Sequence, residues 1–490
     1  MAGQRIFGLS GSGMDVDSMV KQLMQAKRAQ FNKLYQNRTL LEWKKSDYTD
    51  TNKNINDFRN TLVGYKMSGA LSIRTVSSTK AEVATATANA EANNISHTLS
   101  VEQLATGVQL GSVGNITNGA SKDTIAKQFY GGNAPTEPIT LSIANGTASA
   151  KLTIDPNKSI YDVVNQINSA KINVTANYDA TLDRFFINTA NTGANSGIDF
   201  SGSDINGLDF ITNKLAISSE PKNGVDAKFS LDGVGMTEES NSFTISGVSY
   251  NLSALGETKL NVATDVDKTV ASIKGFVDAY NKMLDSVNDK LAEPRYRDYM
   301  PLTDDQKKDM KETEITAWEK KAKSGMLAKD PTLQNFVYGM RSALSTPVDG
   351  VSGTYNSAAS LGITSGAYTE EGHVYLDDSK LRAAITADPD AVLKVFGSNG
   401  GAKNGIAFKL DSVVDTVRKQ ITTVAGRSAA NDNTSSIGRQ INSYTSDIKE
   451  NELNLKTAEN RYYQEFSAME KAINKMNSQS SWISQQMSGK

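Results

Sequence analysis

Hydrophobic and polar positions follow two rhythms along this chain. Between residues 14 and 67, Leu34, Leu41, Tyr48, Ile55 and Leu62 recur at a spacing of seven. Met24 and Phe31 open a second line, which turns polar at Arg38, Lys45, Asn52 and Arg59. No proline interrupts the segment, so one long helix is allowed. A stripe this narrow suits a coiled-coil seam better than a thick core. The far end keeps the same rhythm. Ile437, Ile441, Tyr444, Ile448, Leu455, Tyr462, Phe466, Met469, Ile473, Met476, Ile483 and Met487 are spaced mostly by three, four and seven. The step from Tyr462 to Phe466 resembles a stutter. Gln, Asn and Ser crowd this stretch, which predicts a helix of marginal stability when alone.

Residues 76–264 alternate with period two instead. Leu141–Ile143, Ile172–Ala176, and Phe243–Ile245 followed across Ser246-Gly247 by Val248–Tyr250 read as strands between Gly, Asn and Asp turns. One helix stands out there. Ser159 with Asp162 forms a capping-box start, and Ile160, Val163, Val164 and Ile167 share one face. A strand to Tyr178, a polar turn at Asp179–Asp183 and a strand at Phe185–Ile187 complete a helix–hairpin unit.

From 266 onward helices return, with an apolar face of Val270, Ile273, Phe276, Val277 and Tyr280. Thr303-Asp-Asp-Gln306 caps a charged helix predicted to run to Lys323. Asp330-Pro331 and Asp388-Pro389 open two more, and 402–424 reads as helical. Val374–Leu376 reads as a strand.

The pattern is nested and predicts an α+β multidomain fold. Terminal coiled-coil helices (1–44 and 436–490) bracket a helical leg domain (45–75 and 266–435). The leg brackets a β-rich head domain (76–105 and 225–265), which carries a β-rich outer head with one short helix (106–224).

Composition narrows the function. The 490 residues include no cysteine and two histidines, His97 and His373. Disulfides, thiol nucleophiles and Cys-ligated metals are excluded, and His-based chemistry has little to work with. The formal net charge of −2 gives no reason to expect nucleic acid or an anionic membrane as partner. Locally the signs separate: residues 1–66 carry 11 Lys/Arg against 6 Asp/Glu, and 76–264 carry 11 against 18. No run approaches the ~20 apolar residues of a membrane span. The first 17 residues lack the basic and apolar regions of a cleavable secretory peptide.

Candidate chemistry is sparse. Gly8-Leu-Ser-Gly11-Ser-Gly13 lacks the Lys-Ser/Thr and the spacing of a phosphate loop, and reads as a lead-in to a helix capped by Asp15. Asp15-Val-Asp17 lacks the Glu of a calcium loop, since that position is Ala26. Asp377-Asp378 reads as a helix start. No catalytic residue, cofactor or metal site is expected. The terminal heptads are the strong signal. Either they close on each other as an antiparallel pair, or they are assembly helices. The candidate assembly residues are Leu34, Leu41, Tyr48, Ile441, Ile448, Leu455, Tyr462, Phe466 and Ile473.

Several short segments also occur in a telling order. They are Ile6–Val20 (Ile-Phe-Gly-Leu-Ser-Gly-Ser-Gly-Met-Asp-Val-Asp-Ser-Met-Val), Phe229–Gly233 through Gly247-Val248, Asp265–Leu284, Pro301–Asp304 with Trp318–Gly325, and Leu361–Ile363 through Tyr375–Asp377. Together they resemble the flagellar hook-associated protein 2 family, the bacterial filament caps, with Ser10 where a Gly is expected. Asn165–Asn168 through Tyr178 is similar to a short motif repeated in axial flagellar proteins. The resemblance implies a secreted protein at the distal tip of the flagellar filament. It implies export through the flagellar export apparatus and a homo-oligomeric ring. That ring would retain flagellin and promote its folding and insertion, without catalysis, cofactor or nucleotide. It also implies a cytoplasmic export chaperone on the C-terminal helix. Two alternatives stay open: a surface adhesin whose head binds host glycan or mucin, and another axial flagellar protein.

Overall fold

The computed structural model describes residues 15–133, 135–397, 403–427 and 432–488. The Gly8–Gly13 loop, Ser10 and most of the Ile6–Val20 segment lie outside them. The chain divides into two compact units, one of residues 1–71 with 270–490, the other of 72–269.

The first unit is helical. Its first helix, Val16–Tyr65, starts where Asp15 Oδ1 accepts the Ser18 amide at 3.0 Å. The heptad line at Ile55 and Leu62 is fully buried. The second line differs from the one read in the sequence, because Thr51, Phe58 and Tyr65 are the buried partners of Tyr48, Ile55 and Leu62. From Tyr48 to Tyr65 this is therefore a core helix, and only its upstream half keeps a narrow stripe. Phe58 and Tyr65 explain the difference. They meet Phe276 and Tyr280 of helix Val266–Ala292, and Phe276 in turn meets Phe396 edge-on at 4.9 Å. The polar line finds charge: Arg59 Nε lies 2.9 Å from Asp411 Oδ1, and Lys66 Nζ 2.9 Å from Asp411 Oδ2, both on helix Ile406–Ala425.

Helix Pro331–Ser345 and the last helix, Ser436–Ser488, complete the long elements. The charged segment after Thr303 forms two helices, Asp304–Lys308 and Glu312–Lys323, rather than one. Lys311 restarts the second, its amide bonded to Glu314 Oε2 at 3.0 Å. Strands Ile363–Ser365 and Val374–Leu376 pair antiparallel.

The second unit is β-rich. Its main sheet has the order Arg74–Ser78, Gly256–Thr264, Ser96–Gln103, Ala227–Leu231, Val234–Glu238, all neighbours antiparallel. Arg74 stands opposite Thr264, so the two ends of the unit meet in one ladder. A second sheet joins Ala84–Ala88 to the hairpin Ser242–Ile245/Val248–Leu252. Ser246 (φ 49°) and Gly247 (φ 80°) form its two-residue turn, which needs two positive φ values.

Buried apolar side chains fall into two clusters, one from Val83–Ala105 with Ala227–Val262, the other from Val108–Ile217. In the latter, helix Ile160–Ser169 carries the Ser159–Asp162 capping box. Asn168 then grips the neighbouring strand: its Oδ1 accepts the Ala176 amide at 2.8 Å and its Nδ2 donates to Ala176 O at 3.0 Å. That strand runs Val174–Asp179, two residues later than read from Ile172. Lys171 and Asn173 both have φ near 54°, which a strand does not allow.

Phe276→Ala should cost about 3–5 kcal/mol by emptying the aromatic cluster. In urea denaturation followed by far-UV circular dichroism, the helical transition should fall while the β-rich transition stays in place.

Candidate assembly surface: the paired terminal helices

The first and last helices pack against each other more extensively than any other two helices. They run antiparallel. At one end Tyr463 Oη donates to Asp17 Oδ1 at 3.0 Å. At the other, Lys45 Nζ lies 3.1 Å from Asp432 Oδ2, just before the last helix begins. Between these points Val20 and Met24 are buried. Farther along lies a cleft of about 410 Å³, floored by Phe31, Tyr35 and Leu455 and rimmed by Arg28, Asp304, Asp305, Glu452 and Glu459.

Asp432 anchors the base of the pair. Its carboxylate, 4% exposed, accepts bonds from Ser435 Oγ, the Ser435 amide (3.1 Å), the Thr434 amide (3.0 Å) and Thr434 Oγ1 (2.9 Å). Those bonds, first of all from the Ser435 hydroxyl, hold it far below the ordinary carboxylate range. The chain closes tightly round it. A Cβ on Gly426 (φ +76°) would lie 1.8 Å from Asp432 Oδ2, so only glycine fits.

The nine sequence-derived residues do not share one surface. Leu34, Leu41, Ile441, Leu455, Tyr462, Phe466 and Ile473 are half-buried. The heptad line puts Tyr48 on their face, but the structure buries it at 2% exposure with its hydroxyl bonded to the Asp330 carboxylate. Burial, and then Asp330, push that hydroxyl well above the usual phenol range. Ile448 is likewise buried, at 7%. Both serve the inside of the helical unit.

What the list omits lies farther along. Asp17 is already opposite Tyr463, so little of the described first helix remains to pair with Gln464–Ser488. There Met469, Met476, Trp482, Ile483 and Met487 are all exposed, Met487 at 80%. The seven-residue spacing of Met469, Met476 and Ile483 is the signal that could have found them.

Comparison with known proteins gives this geometry a family. A model of the flagellar hook-associated protein 2 C-terminus matches residues 224–478, and one of the N-terminus matches 12–107. The chain belongs to the flagellar hook-associated protein 2 family. A relative from Halalkalibacterium halodurans, named flagellar hook-associated protein 2, is 30% identical over 524 residues, covering 97% of this chain and 98% of its own. One of the same name from Escherichia coli K12 is 26% identical, covering 97% and 96%. The crystal structure of the D1-D2-D3 domains of the flagellar cap protein FliD from Escherichia coli is similar in fold. Its TM-score is 0.58 at 20% identity, over 81% of this chain and 99% of that one. The family's general role is that of a structural flagellar cap protein at the distal filament tip. Among the described residues no helix is long and apolar enough to cross a membrane.

Asp432→Ala should destabilise the helical unit by about 3 kcal/mol, because it strands Lys45 and the hydroxyls and amides of Thr434 and Ser435. Urea midpoints of the wild type and variant measure this. A carboxyl whose folded pKa is depressed stabilises fully above its unfolded value of ~3.9. The contribution of Asp432 should therefore be intact at neutral pH and fade only as the pH falls below about 4. The gap between wild-type and Asp432→Ala midpoints, read from pH 7 to pH 2, should narrow accordingly.

Proposed function

We propose that this chain caps the flagellar filament as a homo-oligomeric ring that retains exported flagellin and promotes its folding and insertion. One observation carries the reading: the last helix runs on past the described part of its partner with an exposed apolar stripe at heptad spacing. Such a rod leaves its hydrophobic contacts to be made by another chain. Its richness in Gln, Asn and Ser keeps each contact weak and replaceable, as repeated insertion of subunits requires.

In this reading the terminal helices (1–44 and 436–490) engage flagellin and neighbouring copies. The helical leg (45–75 and 266–435) carries them, and the β-rich heads (76–105 with 225–265, and 106–224) form the plate. Leu34, Leu41, Ile441, Leu455 and Tyr462 contribute to assembly from the paired section, and Phe466, Ile473 and the Met469–Met487 stripe beyond it. Before export, a cytoplasmic chaperone covers the same stripe, which is the largest apolar liability of a solitary rod. The absence of cysteine suits passage through the export apparatus unfolded, since no disulfide has to be reduced.

A second reading, host-glycan binding by the outer head, draws on one face of the sheet formed by Gln109–Gly111, Arg184–Thr189 and Val174–Asp179. Exposed Phe186 lies flat over Gly111 and opposite Asn177, with Asn188 on the same face. An aromatic ring ringed by amides suits a sugar's apolar and hydroxyl faces. Phe186→Ala should abolish any signal of the chain on a glycan array; an unchanged signal removes this face from the reading.

Deletion of 464–490 tests the main proposal better than removal of the whole last helix. A cut at 437 also removes buried Ile437 and Ile448, and so damages the leg. The shorter truncation should fold normally yet release unpolymerised flagellin into the medium. Filaments of normal length from such cells would refute the role of the overhang.

A further inference from the structure

Between helix Val266–Ala292 and helix Pro331–Ser345 the chain makes an excursion that closes on itself. Arg295 Nη1 donates to Ala322 O (2.8 Å) and Ser324 O (3.0 Å). Ser324 Oγ donates to Pro294 O at 2.7 Å, and the Gly325 amide to Glu293 Oε2 at 2.9 Å. This neck is tied to the leg through Lys290, 3.1 Å from Asp47 and 3.4 Å from Glu293. Inside the excursion Trp318 packs against Tyr299, ring centres 4.7 Å apart and planes tilted by 55°, and donates its Nε1 hydrogen to Met300 O. Lys307 and Glu319, 2.7 Å apart, join its two short helices. It is an internally bonded body standing on a fixed neck.

Its outer edge lies along the first helix. Asp305 meets Arg28 at 2.9 Å, Pro301 O accepts Gln36 Nε2 at 2.9 Å, and Lys323 Nζ sits 5.0 Å from the centre of the Trp43 ring. Arg28, Gln36 and Trp43 are spaced by eight and seven residues, which places them on one face of the helix, two turns apart. The outermost of these contacts is of a replaceable kind. Both side chains of the Arg28–Asp305 pair are about half exposed, at 46% and 57%, where ion pairs contribute little. Neck and tip thus differ in strength. The cleft over Leu455 lies between this tip and the last helix. At about 410 Å³ it admits a few side chains, whereas a helix with its side chains is about 10–12 Å across.

We propose that residues 294–324 are a clasp, fixed at the neck, whose tip orders the terminal pair over Arg28–Trp43. The clasp sets the order of this section whatever partner the helices engage, so it does not depend on the capping role.

Hydrogen exchange on the full chain tests it. Gln36→Ala with Asp305→Ala should speed exchange roughly five-fold or more in peptides covering 28–43 and 452–459. Peptides covering 270–290 should not change. Because the chain has no native cysteine, Arg28→Cys with Asp305→Cys can be joined by a short bis-maleimide. The joined chain should exchange more slowly than the unjoined one in the same two stretches. Unchanged exchange over 28–43 in the alanine variant overturns the proposal. So does acceleration of 270–290 in step with it, or a tether that adds no protection.

Discussion

The helical unit depends on one carboxylate being buried next to one ammonium. Lys45 and Asp432 join the first helix to the start of the last, and every downstream feature of the terminal pair takes its register from that point. A lone carboxylate buried there would be costly to desolvate, so the site also supplies two hydroxyls and two amides. The glycine at 426 exists for the same reason, since a methyl group would occupy the oxygen's place. Below this point the first helix is a core element buried along two lines, one of which carries the aromatic contacts of Phe58 and Tyr65. Above it, the same helix is a thin rod with one apolar stripe, and the surroundings thin out with it.

This change of character along a single helix limited what the sequence could reveal. A spacing of seven reads the same in a seam and in a core. Tyr48 therefore looks like Leu41, and nothing local announces that Asp330, distant in the chain, accepts a hydrogen bond from its hydroxyl. The second buried line, Thr51–Phe58–Tyr65, is hidden in the sequence because Arg59 and Lys66 sit beside it, and their partners, Asp411 and for Arg59 also Asp415, come from a distant helix. Local signals did better. The Ser159 box, the Asp15 and Asp377 caps and the Ser246-Gly247 turn are short-range chemistry, and the structure has each in place. The displaced start of the strand at Val174 and the break at Asp309–Lys311 are boundary effects, set by backbone dihedrals that composition does not encode.

At the candidate surface, the heptads indicated which helices matter but not which residues remain outside. Exposure at Met469, Met476, Ile483 and Met487 follows from a mismatch in stagger: the two helices are 50 and 53 residues long, but the last continues where the described part of its partner stops. Family membership and this mismatch point the same way. A cap needs a body that holds its shape and rods that bind only when other chains are present.

The pairing of Arg74 with Thr264 carries a consequence for how such a chain comes to be made. The helical unit is discontinuous, interrupted by Ser72–Thr269. Bringing the two flanks of a loop that long together by chance costs on the order of 5 kcal/mol in chain entropy. If the β-rich insert forms first, its own ladder delivers both flanks side by side, and the interruption all but vanishes for the helices waiting on either side. The insert then works as a seam sewn before the garment: its early completion turns a distant search into a local one.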